Sequence, residues 1–396
     1  MAASNLSILS KPRLGFSHSF TNAYRKRAQM FNSVSIIGTG HCGCALAVDT
    51  LSRGLGVLLY AHPEHARNLN AIAQQGYLNS AMQIEGQFKP RLTQNIAEAV
   101  KFSKCLIITT PSFGHDTIVN ELKSFDLSDH VLVVINANFF SLAYMNELNA
   151  RLILETNAAP YASRFVDGEI LVLGIKKNLQ IAAYPADISA DDRNAVASVF
   201  SMSLEWQDNV LDVGLQSNNG VFHPATTILN TARIELTKGD FYFYKDGIST
   251  SVGRIIDSVD QERLAIANAF GYRPQTLLSE MISFYGGEYK SFSDFACHSA
   301  VHNRTKNTPS SMAERYITED VPFIMVPWHE LGRVAGIQAP TMRSIIEFSS
   351  IINNENYFLH GRNARKLKIE NLSIEDIVRI IKGGNFTAGN RQTHAA

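Results

Sequence analysis

Val34-Ser35-Ile36-Ile37-Gly38-Thr39-Gly40-His41-Cys42-Gly43 is the stretch on which the reading of this chain turns. A short apolar run ends at Gly38, and the residues after it fit G-x-G-x-x-G. Glycines so spaced let the chain turn tightly after a strand and bring backbone N–H groups close to a pyrophosphate at the next helix N-terminus. Alone the pattern is weak, because a structural glycine turn can look the same. Its place on the first strand of a strand–helix alternation makes it strong.

A small-residue helix over 44–52 follows, then a second strand at 57–60. Polar helical sequence leads to 97–100 and a third strand at 105–109, which ends in Thr110-Pro111. A helix pattern at 117–122 precedes a fourth strand at 131–135. These runs are apolar on both faces, as a parallel sheet covered by helices requires. Further strands are expected at 152–154, 170–173 and 179–181. Beyond about residue 210 helix patterns take over, at 224–236, 259–270, 328–335 and 374–381, the last capped by Ser373. The expected fold is α/β: a Rossmann-type doubly wound parallel sheet over 32–209, then a mostly helical domain over 210–396.

The composition excludes several classes. With 396 residues, 45% hydrophobic and 18% charged, the chain is long and apolar enough for two packed domains. The 36 basic residues balance the 36 acidic ones, so nothing global points to nucleic acid. Only strand-sized apolar runs occur, which argues against a membrane span. Four cysteines are too few for a disulfide framework, so a reducing, cytoplasmic setting is expected. Residues 1–31 are basic and lack acidic residues, which reads as a disordered leader or, alternatively, an organellar targeting segment.

Several residues carry candidate chemistry. Gly38, Thr39, Gly40, His41 and Gly43 form the dinucleotide turn, and Thr110 with Pro111 ends the third strand on the same sheet edge. The acidic residue that binds an adenosine ribose is missing after the second strand. His62, His65 and Arg67 stand there instead and suit a 2′-phosphate, so the cofactor is NADP or NAD with NADP favoured; Glu64 could still reach a ribose. Gly174-Ile175-Lys176-Lys177-Asn178 superficially resembles a glycerol-3-phosphate dehydrogenase motif but reads as a turn between strands. His223, just before Pro224, reads as lying at a helix N-terminus. Arg315, Glu319 and Asp320 place a cation and two carboxylates before another helix. A histidine held by an aspartate is a proton-transfer pair, and an arginine beside it binds a carboxylate. From spacing alone, a helix cap and a surface ion pair remain the simpler reading. Metal ligands are not expected, and Cys42-Gly43-Cys44 reads as small packed residues.

These motifs resemble the opine dehydrogenases of the octopine/nopaline dehydrogenase group. The resemblance covers residue 33 to about 385. It rests on the glycine turn, Thr110-Pro111-Ser112-Phe113-Gly114-His115, Glu155-Thr156 with Pro160-Tyr161 and Arg164, and Phe222-His223-Pro224. Further carriers are Arg315-Tyr316-Ile317-Thr318-Glu319-Asp320-Val321-Pro322, Gly336-Ile337-Gln338-Ala339-Pro340 and Gly361-Arg362. It implies an NAD(P)H-dependent oxidoreductase that joins an amino acid to a 2-oxo acid such as pyruvate. It makes His223 and Asp320 the acid/base dyad, with Arg315 facing a substrate carboxylate and Glu155 with Thr156 bordering the amino substrate. Asn157-Ala158-Ala159 intervene before Pro160, so the substrate-side loop is longer than usual and substrate identity does not carry over. The expected partners are the two small substrates, without nucleic acid or membrane, in a monomer or homodimer. The alternatives are a glycerol-3-phosphate- or ketopantoate-type dehydrogenase, which would need Lys176 or Lys177, and a non-catalytic dinucleotide-binding sensor.

Overall fold

The computed structural model describes residues 30–306 and 308–383. The leader read at 1–31 lies outside the described residues, save its last two. The first strands are β1 (Ser33–Ile37), β2 (Gly56–Tyr60), β3 (Leu78–Met82), β4 (Gly86–Phe88), β5 (Arg91–Thr93) and β6 (Cys105–Ile108). They are followed by β7 (Val131–Val134), β8 (Leu152–Thr156), β9 (Tyr161–Val166), β10 (Glu169–Ile175), β11 (Asn178–Tyr184) and β12 (Ser203–Trp206). Every later element among the described residues is helical.

Eight strands form the main sheet in the order β12-β11-β8-β7-β6-β1-β2-β5. The pairs from β5 to β8 are parallel, and β11 and β12 run the other way. Buried Val, Ile and Leu on both faces feed two separate cores, one under each layer of helices. The chain reverses its direction of winding at β1, flanked by β2 and β6, which opens a crevice at their carboxyl ends. The α/β, doubly wound reading of the sequence therefore holds, with a helical second part built on its own core around the fully buried Trp328.

Three local expectations are corrected. The stretch before residue 97, read as polar helix, holds a helix only over Arg67–Gln75. Gly76 ends it in a left-handed conformation (φ +81°), and β3, β4 and β5 follow. β3 and β4 join β10 and β9 in a second, four-stranded sheet whose β9 was also not expected. The helix read at 224–236 is two helices, Asn219–Leu229 and Thr231–Thr237. His223 consequently lies inside a helix and not at its start, because Pro224 is preceded by about one helical turn. That is little helix for the missing N–H and the proline ring to disturb. Ser373 does cap Ile374–Ile381, in a reciprocal capping box with Asp376.

Candidate active site

The glycine turn fits a dinucleotide on grounds of its own structure. Gly38 has φ +122°, a region closed to side chains, and its N–H donates to the Tyr60 carbonyl at 2.9 Å. A Cβ at Gly43 would lie 2.0 Å from the Gly38 carbonyl oxygen, so the first helix can approach β1 only with glycine there. At Gly40 a Cβ would meet nothing within 4 Å, which leaves room for a ligand over the turn. The helix His41–Ser52 starts with no side-chain cap and no acidic residue in its first turn, so its leading N–H groups and positive dipole end suit an anion. Across the crevice, Thr110 Oγ1 is buried with no hydrogen-bond partner among the described residues, and Pro111 leads into a short helical turn.

Beside this turn lies a cavity of about 530 Å³ lined by His41, Arg67, Asn68, Gln75 and Phe165. Asn68 donates to the Thr39 carbonyl at 2.8 Å. His41 Nδ1 accepts the Phe165 N–H at 2.8 Å, which leaves Nε2 as its protonated nitrogen. Burial, with Arg164 and Arg315 nearby, lowers the His41 pKa and keeps the ring neutral. Of the basic residues after β2, Arg67 reaches this wall. His62 instead caps the turn Pro63–His65, accepting the Glu64 N–H at 3.3 Å.

The sequence pair His223 and Asp320 is brought together. His223 Nδ1–H donates to Asp320 Oδ2 at 2.8 Å, and both residues are buried. Tyr316 stacks on the imidazole with ring centroids 3.8 Å apart and planes 12° apart. Burial raises the Asp320 pKa, and the hydrogen bond and charge of His223 act against that rise. The adjacent Glu319 ties the pair to the sheet edge. Its Oε1 accepts the Ser112 N–H at 2.9 Å, and its Oε2 accepts from Arg315 Nε at 2.6 Å. The dyad thus stands opposite the residues that end β6.

His223 also lines a smaller cavity of about 130 Å³ between the two halves of the chain, with Asn157, Ala158 and Lys176 on the sheet side. Glu155 and Thr156 point elsewhere. Glu155 is fully buried and accepts the Ser141 N–H at 2.6 Å, and Thr156 Oγ1 bonds the Asn136 N–H and the Ala158 carbonyl. The next two residues, Asn157 and Ala158, form the wall. Lys176 and Lys177 occupy the β10–β11 turn as read. Lys176 lines the cavity while Lys177 is exposed, so the two lysines are not equivalent.

Residues 206–353 match the model of the NAD/NADP octopine/nopaline dehydrogenase alpha-helical domain. Protein ocs of Agrobacterium tumefaciens (strain Ach5) is 29% identical over 88% of this chain and 99% of its own. D-nopaline dehydrogenase of Agrobacterium tumefaciens (strain T37) is 26% identical over 88% of this chain and 91% of its own. The second half of the chain thus matches the octopine/nopaline dehydrogenase helical domain over residues 206–353. A solved octopine dehydrogenase with NADH and L-arginine has a similar fold, with a TM-score of 0.71. Its sequence identity is 16%, covering 89% of this chain and 98% of that one.

Two further features complete the site: Arg362, noted in the sequence only as part of Gly361-Arg362, and His302, which has no local sequence signal. Arg362 is fully buried and reaches back from the helical half to the Ala137 carbonyl at 2.6 Å and His115 Nδ1 at 2.6 Å. Because His115 Nδ1 accepts, its Nε2–H donates to the Thr110 carbonyl at 3.2 Å. Burial and the Arg362 charge hold His115 well below the usual histidine range. The second feature is His302, on the wall of the smaller cavity, with Nδ1 bonded to Ser299 Oγ at 2.8 Å.

Burial, reinforced by His223, pushes the His302 pKa down to about 4 from 6.5. The sign follows from linkage. Between about pH 6.5 and 4 the unfolded chain binds this proton and the folded one does not, so stability from His302 is present above pH 6.5 and is lost as pH falls. Thermal melts of His302→Gln and the unmodified protein are therefore expected to converge as pH falls from 7 to 4. A constant gap between the two melting curves would rule out this assignment.

Proposed function

We propose that the protein is an NAD(P)H-dependent opine dehydrogenase, which condenses the amino group of an amino acid with a 2-oxo acid such as pyruvate and reduces the resulting imine. The observation that carries this reading is the buried His223–Asp320 pair, 2.8 Å apart, facing a dinucleotide-type sheet edge. Residues 32–209 hold the cofactor in this reading, and residues 210–396 supply the acid/base side of the cleft. Gly38, Thr39, Gly40, His41 and Gly43 hold the pyrophosphate, His62 and Arg67 face the adenosine end, and Thr110 with Pro111 flanks the nicotinamide. The nicotinamide, when bound, supplies the hydride.

The protein's own groups do the proton work. Asp320 fixes the proton on His223 Nδ1 and supports the imidazolium, so that Nε2–H is the group offered to the substrate. From there His223 polarises the oxo group and delivers a proton to its oxygen. Arg315, oriented by Glu319, presents its remaining N–H groups to a substrate carboxylate. Glu155 and Thr156 shape the amino-substrate side by fixing the end of the strand that leads into Asn157 and Ala158. A cleft closed by both halves keeps water from the reaction.

Assaying NADPH and NADH oxidation in parallel, with pyruvate and an amino-acid mixture, tests this reading. Oxidation that requires both substrates is expected; oxidation with a 2-oxo acid alone would instead indicate a ketopantoate-type reductase. In the same assay NADPH is expected to serve at least as well as NADH. His62→Asp or Arg67→Asp should move the ratio of kcat/KM values towards NADH. A strong NADH preference in the unmodified protein would refute the 2′-phosphate argument.

A further inference from the structure

Lys176 stands on the wall of the cavity that holds His223, with no salt-bridge partner among the described residues. Among the described residues its ammonium forms no ion pair within 4 Å and no side-chain hydrogen bond. Its close partner is the Phe284 ring, 5.3 Å below the nitrogen. The nearest carboxylate in electrostatic reach, Glu280, is buried, takes a hydrogen bond from Asn218, and is not part of the cavity wall. Among the described residues no carboxylate lines this cavity at all. Its other polar walls are amides, tyrosines and the neutral His302.

An ammonium held away from water loses solvation that the Phe284 face restores only in part. Burial accordingly lowers the Lys176 pKa, and the charge of Glu280 acts against that fall. An anion entering the cavity recovers the lost interaction. A guanidinium or ammonium entering it meets a like charge and no acceptor of opposite sign. Lys177, one residue on, is exposed and has no such position.

We propose that Lys176 binds a carboxylate of one of the two condensing substrates, and that the cavity admits amino substrates with an acidic or uncharged far end while excluding arginine and lysine. The inference rests on the opine dehydrogenase reading and adds the substrate class to it. Two sources can supply the carboxylate, the amino acid or the 2-oxo acid, and the kinetics separate them.

The test uses the full chain with NADPH, pyruvate or 2-oxoglutarate, and a panel of alanine, glutamine, glutamate, aspartate, arginine and lysine. The unmodified protein should favour the acidic and uncharged amino acids over arginine and lysine by at least about tenfold in kcat/KM. A charge-assisted hydrogen bond contributes about 1.5–3 kcal/mol, so Lys176→Met should raise one KM by roughly 10–150-fold with kcat nearly unchanged. Lys176→Arg should restore most of it, and Lys177→Ala should change neither. A rise in the amino-acid KM assigns the carboxylate to that substrate, and a rise in the oxo-acid KM assigns it to the other. Preference for arginine or lysine overturns the inference, as does a Lys176→Met protein, folded by its melting curve, with both KM values within about twofold. If kcat collapses instead, the lysine performs chemistry and the inference also fails. Absence of turnover with every substrate pair refutes the opine dehydrogenase reading itself.

Discussion

His223→Ala is expected to lower turnover by about 10²–10⁴-fold, the usual contribution of a positioned general acid–base group. Cofactor affinity, measured by fluorescence titration, should stay near normal, because the glycine turn and the Thr110–Pro111 edge lie on the other side of the cleft. Asp320→Asn should lose a comparable amount. Its carboxylate is the acceptor that fixes the proton on Nδ1, and an amide can turn its N–H₂ towards the ring and force the other tautomer. The double variant should be little worse than either single one, since the two side chains act as a unit. Additive losses would mean separate roles. Full activity in His223→Ala, together with a silent Lys176 variant, would move the chemistry to the lysine and favour the glycerol-phosphate-type reading.

The fold was legible where burial on both faces wrote itself into the sequence. β2, β6 and β7 are almost wholly apolar, β1 is apolar apart from Ser33 and Ser35, and the expected spans match within a residue or two. β3 and β9 were not legible, because one of their faces is partly solvated. Leu78-Asn-Ser-Ala-Met and Tyr161-Ala-Ser-Arg-Phe-Val bury alternate residues and expose the rest, and as short polar stretches they pass for loop or helix tail. The site shows the same division. The glycine turn is local and could be read directly. His223 and Asp320 are 97 residues apart, so their pairing came from family resemblance and not from spacing. Which lysine of the β10–β11 turn faces inward is decided by the helices packed against it, and His302 stands in a stretch with no periodic pattern. Tertiary contacts, absent from any local window, select those residues.

Arg362→Met is expected to loosen the joint between the two halves of the chain. The residue is fully buried, and its guanidinium donates to the carbonyls of Ala137 and Asn138 and to His115 Nδ1. Tyr144 and Phe323 lie 5.6 and 5.3 Å from its carbon centre and cover its faces. The backbone it grips is unfavourable on its own: Asn136, Asn138 and Phe139 all have positive φ, between 51° and 65°. A bulky aromatic residue such as Phe139 enters that region only when its surroundings enforce it. Removing the guanidinium orphans buried acceptors at about 1–3 kcal/mol each, offset in part by no longer burying a charge. A net loss of about 2–4 kcal/mol follows, seen as a melting point lower by roughly 5–10 °C. The effect should extend to the cofactor, because His115 passes the contact on to the Thr110 carbonyl at the sheet edge. The KM for NAD(P)H should therefore rise in Arg362→Met, whereas His223→Ala leaves it alone. Arg362→Lys keeps the charge without the planar fork and should recover little of either loss. A melting point and cofactor KM unchanged in Arg362→Met would show that the strained segment holds itself and that Arg362 is a passenger.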